Sequence, residues 1–520
     1  STNTDQNLRF DPVQIATYLE ASYRKFVGEV GFVSDSATKN LGRYKIIVVM
    51  NETYEGANGP TGWAFGSSYD NTIGAMWVHP NATRDPYVLS HEFAHTLQAQ
   101  NAIEGNTAGG GFVGFEPAGW FWEAHANYMR CVEFPTFASD DMPRWLATRS
   151  YHLSSTRHHY SSFRWLMTIE DAYGGIDMVT RLWKESRRAE HPLMTLRRLK
   201  NWNQDSLNDF IYDYATREVA FDYPTRGFGT WMRRQREIYR TDRTANHYVW
   251  REHTILDRVD SASGHFRVSD FAAPQEYGFN IIPLHTTCTT RSVQVRFRGH
   301  DESDSTAGWR WGFVAVAADG VTTRYGPLSR SSDGAATFTM LTDETALYLV
   351  VVGAPSRHTS HVWEPGWPKL RRFPYEVRIE NAVPEGYQSS FRADLRTLFP
   401  GARHVNGGGW ISNNATVASS VFVGPHAAVL GASRLSGNVR VDGRARLERV
   451  TADGRVQFGG DATIVEGTYR DSTVVTDRAI LYDCRVSGGT HIGGNAFSWG
   501  ATFVGPLVIG GDAEPSACEE

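Results

Sequence analysis

Apolar and polar positions follow three different periods along the chain. In the first part the spacing is helical, with apolar residues three or four apart. The segments "DPVQIATYLEASYRKFV" (11–27), "DPYVLSHEFAHTLQAQ" (85–100), "PAGWFWEAHANYMRCVEF" (117–134), "SSFRWLMTIEDAYGG" (161–175) and "DSLNDFIYDYATREV" (205–219) predict helices. Asp85 followed by Pro86 marks a helix start, and Gly174–Gly175 marks a stop. Between them, "RYKIIVVM" (43–50) and "IGAMWVHP" (73–80) are short apolar runs with β-branched residues and predict strands. An α+β unit over 1–255 follows.

From about 256 to 385 the helical period is lost. "SVQVRFRG" (292–299), "GWRWGFVAVA" (308–317), "AATFTML" (335–341), "TALYLVVVG" (345–353) and "PYEVRIENA" (374–382) alternate or run apolar between Gly, Pro and Asp. Short strands at this spacing predict a β-sandwich. Beyond 386 a third period takes over. Val417, Val423, Val429, Leu435, Val441 and Leu447 step by six, with Ala415, Val421, Ala427, Ser433, Val439 and Ala445 two residues ahead of them. After a break the step resumes at Val474, Ile480, Val486, Ile492, Ser498 and Val504. A six-residue repeat predicts a parallel β-helix over 386–520, left-handed as such repeats usually are. The expected fold class is therefore multidomain α+β and β.

Composition narrows the possible roles. The 520 residues are 41% hydrophobic and 21% charged, with net charge −5 and pI ≈ 6.4. No basic excess points to nucleic acid. No apolar run is long enough to span a membrane. The N-terminus "STNTDQNLRF" is polar and starts with Ser, as expected where a leader has been removed or the chain trimmed. Cys131, Cys288, Cys484 and Cys518 allow three pairings and force none. None stands in a CxxC arrangement, so a thiolate zinc site is not expected.

The candidate chemistry sits in "SHEFAHTLQ" (90–98). His91 and His95 are four apart, on one face of a predicted helix, with Glu92 between them. Two imidazoles at that spacing bind one Zn2+, and the intervening glutamate serves as general base toward a metal-bound water. The alternative is a surface helix with two solvated histidines. The longer metzincin pattern needs Gly at 98 and His at 101, where this chain has Gln98 and Asn101. A third ligand must come from elsewhere. On the next predicted helix, Glu123 falls on a face otherwise lined by Trp120, Ala124, Tyr128 and Cys131. A carboxylate there is costly unless paired or metal-bound, so Glu123 is the candidate. Asn127, one turn on, is placed to hydrogen-bond a ligating histidine. The competing readings pair Glu123 with Arg130 or Arg144, or let His125 ligate instead.

HExxH followed by a glutamate on a later helix resembles the gluzincin metallopeptidases. Their downstream helix reads Glu-x-x-x-Asp, where this chain has Glu123-x-x-x-Asn127. "WVHPNATRDPYVLSHEFAHTLQ", "GWFWEAHANYM" and "HHYSSFRWLMTIEDAYGG" are further similar to the Svx/AvrXca group of secreted virulence and avirulence proteins of plant-pathogenic bacteria. That resemblance, most specific over about residues 40–180, implies secretion and a zinc peptidase, and names no substrate. The expected substrate is a peptide or protein of a host or another extracellular protein, glycosylated ones included because tryptophans can stack on sugars. Gluzincins bind the developing oxyanion with a downstream Tyr or His. "SYHLSSTRHHYSSF" (150–163) offers Tyr160 first and His159 second, with Tyr160 as a helix-start packing residue the plain alternative.

Other features are weaker. The strand 74–80 is either a candidate edge for an extended peptide or an ordinary sheet strand. Sixteen tryptophans suit sugar stacking or, more simply, core packing. His426 and His491 in the repeat have no ligand partners at evident spacing, so the β-helix reads as an appendage. A monomer is expected. The rival function is an inactive zincin-fold protein that binds host cell-wall glycans or proteins through its β-domains.

Overall fold

The computed structural model describes residues 6–51, 63–114, 117–241, 251–286, 290–361 and 370–515. Helix α1 (Pro12–Tyr23) starts at Asp11, whose carboxylate accepts from Val13 N–H at 2.9 Å. It runs into a wider turn at Arg24–Glu29, so the predicted 11–27 helix changes pitch inside its span. A one-turn helix α2 (Asn40–Arg43) leads into strand β1 (Ile47–Met50), the last four residues of the predicted 43–50 strand. Strand β2 (Ala64–Tyr69) and strand β3 (Ile73–Val78) form an antiparallel hairpin, and β1 joins β3 in parallel.

The sheet order is therefore β1-β3-β2. Of the two readings of the 74–80 strand, the free edge is excluded and the ordinary sheet strand occurs, because β3 is bonded on both sides. The edges are β1 and β2, and the polar "AFGSSY" of β2 carries no apolar run to announce it. The Asp70–Asn71 corner, both at positive φ, was the readable hairpin signal.

Helix α3 (Pro86–Gln100) lies across this sheet and is buried from Leu89 to its end. Asp85 caps it by accepting from Tyr87 N–H at 2.8 Å, with Pro86 in the first turn. Two glycines set the close approach. A Cβ on Gly66 would come within 2.1 Å of the Glu92 carbonyl oxygen, and one on Gly74 within 2.5 Å of Thr96 Cγ2. Helix α4 (Gly119–Glu133) packs beside α3. Helices Arg164–Ala172 and Gly175–Lys184 meet at Gly174 and Gly175, and Gln204–Arg217 closes the helical core.

Two five-stranded antiparallel sheets follow and form the sandwich. One is ordered 333–339, 292–299, 375–380, 265–267, 257–260. The other is ordered 382–384, 279–286, 344–353, 309–317, 323–325. Leu349, Val351, Phe313 and Ala315 face the inter-sheet core, while Val350, Val352, Val314 and Val316 join the core of the helical unit. That is why Trp309–Ala317 is buried at every position instead of alternating. Arg310 seals the join with Asp205 at 2.7 Å and Asp209 at 2.8 Å on helix Gln204–Arg217.

Residues 410–509 wind into a parallel β-solenoid of three six-stranded sheets, with strand 401–403 added antiparallel at the start of one of them. Its repeat departs from a steady six. Val429 pairs with Leu447, 18 residues on, but Leu447 pairs with Ile464 and Ile464 with Leu481, each 17 on. The corner after Leu447 has one residue fewer, and Arg449 there takes a left-handed φ of 56°, repeated at Glu466 and Asp483. The inward row consequently runs through Ala452, Phe458, Ile464, Tyr469, Val475 and Leu481. Val474 and Val504, expected on it, lie off it, and Val504 is 69% exposed where its neighbour Phe503 is buried. Position 480 is likewise displaced by Leu481.

The solenoid docks through arginines that donate to its backbone. Arg157 Nη2 reaches the carbonyls of Asp512 at 2.6 Å and Ala513 at 2.8 Å, and Arg251 Nη2 reaches that of Asp461 at 2.6 Å. Trp120, Trp145, Trp165, Trp183, Trp309 and Trp311 are all core residues, whereas "HVWEPGWP" lies mostly outside the described residues. Cys131 and Cys484 are buried free thiols, and Cys288 and Cys518 fall outside the described residues. No helix among the described residues is long and apolar enough to cross a membrane.

Candidate metal centre

Helix periodicity puts His91 and His95 one above the other on α3, and α4 brings Glu123 across to them. His91 Nε2 and His95 Nε2 are 3.0 Å apart, and Glu123 Oε2 lies 3.1 Å and 3.3 Å from them. These three atoms form a near-equilateral triangle. Tetrahedral zinc with arms of about 2.0–2.1 Å needs ligand–ligand edges of about 3.3 Å. The donor set and its spacing therefore fit such an ion with one further position open.

The other ring nitrogens are held from behind. His91 Nδ1–H donates to Asn127 Oδ1 at 2.7 Å, while Asn127 Nδ2 donates to the Tyr160 carbonyl at 2.6 Å. The second bond fixes which end of the amide faces His91, so His91 carries its proton on Nδ1 and leaves Nε2 for a ligand. His95 Nδ1 meets Gln98 Oε1 at 2.8 Å, and Gln98 Nε2 donates to the Trp122 carbonyl at 3.0 Å. Gln98, used above only to exclude one protease class, is thus the clamp between the two helices. Its position three residues after His95 was the available signal. Trp122 stacks on the His95 ring with centroids 6.3 Å apart.

The competing readings of Glu123 do not occur. Arg130 pairs with Asp140, and Arg144 with Asp141 and Glu514. His125 is fully buried, bonds Gln98 through Nδ1 at 3.1 Å, and is not part of the triangle. Burial would push the Glu123 carboxyl up, but the facing imidazoles outweigh it and hold it far below the usual range. Burial pulls the His95 imidazole down, yet the Glu123 charge wins and raises it to about 9 when only protons compete for the site.

Glu92 lines a cleft of about 610 Å³ beside His91. Tyr160 and His159 line the same cleft, so the two oxyanion candidates flank it. The Tyr160 ring lies 6.3 Å from that of His91 and is 46% exposed. Burial, then Glu123 and Glu92, push its phenol up, so it stays a donor at neutral pH. His159 is tied to the Thr156 carbonyl through Nδ1 at 2.8 Å, and burial lowers its pKa. At the rim, Trp63 and Ala64 bring the start of β2 to the cleft.

Residues 1–386 match the model of a family described as "Family of unknown function (DUF6055)". No curated protein matches the chain. Among solved structures, a mitogen from Yersinia pseudotuberculosis is similar at 6% identity over 26% of this chain and 93% of its own, with a TM-score of 0.17. A perosamine N-acetyltransferase from Caulobacter crescentus is similar at 20% identity over 20% of this chain and 51% of its own, with a TM-score of 0.14. At these scores neither bears on fold or function.

Proposed function

This chain belongs to the DUF6055 family, and we propose that it is a zinc-dependent metallopeptidase of zincin-like, gluzincin type, with His91, His95 and Glu123 as ligands. The single observation that carries this reading is the triangle of two Nε2 atoms and one carboxylate oxygen with 3.0–3.3 Å edges. Zn2+ in that position supplies a Lewis acid and lowers the pKa of a bound water. Glu92, next to His91 and on the cleft wall, takes the proton of the attacking water and passes it to the leaving amine. Asn127 and Gln98 keep both imidazoles in the ligating tautomer. The Tyr160 hydroxyl donates to the developing oxyanion, with His159 the second candidate. The exposed Phe65 and Tyr69 on β2 suit an extended peptide added along that edge.

Secretion follows the resemblance to the Svx/AvrXca group. The remaining parts of the reading come from the residues: a monomer acting on host or extracellular peptides or proteins, glycosylated ones included, with a left-handed solenoid as a rigid appendage. The test is turnover of a peptide library by zinc-loaded wild type and by Glu92→Gln. The expected result is cleavage by the first, and retained zinc with no cleavage in the second. Turnover that survives Glu92→Gln overturns the mechanism. A native protein that holds no zinc and cleaves nothing supports the rival glycan-binding role.

A further inference from the structure

A cavity of about 290 Å³ opens where the sandwich passes into the solenoid, between residues 387–396 and the first coil. It shares no lining residue with the Glu92 cleft. One part of its wall is apolar. Leu395, on helix Ala393–Leu398, packs with Trp410 and Ala428 of two neighbouring solenoid strands. The Trp410 indole N–H donates to the Phe399 carbonyl at 2.9 Å, which holds the ring in place. The rest is cationic. Arg392, Arg396 and Arg403 line the cavity together with His426, the histidine that the six-residue repeat left without a partner. Among the described residues, no Asp or Glu lines it.

A guanidinium stays charged throughout the pH range of a folded protein and carries five N–H donors. Here three of them border one partly enclosed space, and among the described residues none pairs with a carboxylate. Their bonds go to backbone carbonyls instead. Arg392 donates to those of His426, at 2.9 Å, and Arg444. Arg396 donates to those of Phe391 and Arg392, and Arg403 to that of Gly408 at 2.7 Å. These bonds explain where the side chains lie but not their charge. The acids close enough to act on Arg392 are Asp461, Asp394 and Glu385. Asp461 is held by Arg444, Glu385 meets His285 at 2.7 Å, and Asp394 is exposed and off the lining. Carbonyls satisfy N–H groups but cancel no charge. Like charges drawn out of bulk water cost free energy until an opposite charge joins them. The donors left over form planar forks that match a carboxylate or a phosphate. The same charges exclude a metal cation.

We propose that this cavity binds a small organic anion, a carboxylate or a phosphate ester carried on a single ring-sized frame. Arg392, Arg396 and Arg403 hold the anionic group, and the Trp410 ring packs against the frame. The volume sets the size. Small-molecule sites run from about 300 to 1,000 Å³, and this one, at about 290 Å³, has room for one ring and its anionic group. The ligand touches both the 387–396 connection and the first coil, so it ties the solenoid to the sandwich.

The test is calorimetric titration of the full chain with D-glucuronate, glucose 6-phosphate, glucose and inorganic phosphate, and its outcome depends on neither zinc nor turnover. The expected result is one site for glucuronate or glucose 6-phosphate, at least tenfold tighter than for glucose or inorganic phosphate. The tighter of the two sugar anions tells a carboxylate ligand from a phosphate ester. Arg396→Gln and Arg403→Gln, whose native bonds are local, each weaken that binding at least tenfold and leave the Tm of the free protein unchanged. Failure of both sugar anions to bind overturns the proposal. So does a lowered Tm with unchanged affinity in both variants, which assigns the arginines to packing. Inorganic phosphate bound as tightly as the sugar anions overturns it too, because the site then takes an ion without a frame.

Discussion

Replacing Asn127 by Leu tests whether the metal centre is held from behind. The side chain is 2% exposed and joins α4 to both the His91 ring and the Tyr160 backbone, at 2.7 Å and 2.6 Å. Leucine fills a similar volume and makes neither bond. Losing the partner that orients a ligating histidine lowers metal affinity about 10–100-fold, which is about 1.4–2.7 kcal/mol. Asn127→Asp separates orientation from packing. Its carboxylate still accepts from His91 Nδ1–H but cannot donate to the Tyr160 carbonyl. Zinc affinity is then kept while the Tyr160 loop loosens. The assay is competition for Zn2+ against a chelating indicator. Affinity unchanged within twofold in Asn127→Leu refutes the reasoning. So does an equal loss in Asn127→Asp, because the acceptor would then be irrelevant.

Gly66→Ala forces a methyl group against the Glu92 carbonyl and His95 Cβ, both part of a buried helix. The expected cost is about 1–3 kcal/mol, read by denaturant unfolding, together with weaker zinc binding as β2 and α3 separate. Acid stability gives a third check through His158, 1% exposed, whose pKa burial lowers to about 3. The unfolded chain takes up a proton near pH 6.5 and the folded ring does not. Stability from this residue is therefore intact above pH 6.5 and is lost as pH falls toward 3, by about 1.4 kcal/mol per pH unit. His158→Gln flattens that part of the curve, and an unchanged slope between pH 6 and 4 counts against the assignment.

Where structure is local, the amino-acid order was enough. Asp85–Pro86 set the start of α3, and four-residue spacing put His91 and His95 on one face of it. Glu123 stood out because a carboxylate had no reason to be on an apolar helix face. The sandwich strand 292–299 was legible to the residue because its solvent-facing side alternates. The solenoid was visible in its six-residue step. Its slip to 17 residues per coil was not, because the corners are polar and only the stacking of one coil on the next shows which aliphatic residue of a pair points inward. Strand β2 was missed for the same kind of reason, since it is a polar edge held by cross-strand bonds and by Gly66 against α3. Gln98 changed role once α4 was in place, because the Trp122 carbonyl it holds is distant in sequence. His152, His191, His358 and His361 also meet, although they come from different elements with no common spacing. Local order fixes which atoms a segment can present. Only packing between distant segments decides which of those atoms meet, as it does for His91, His95 and Glu123.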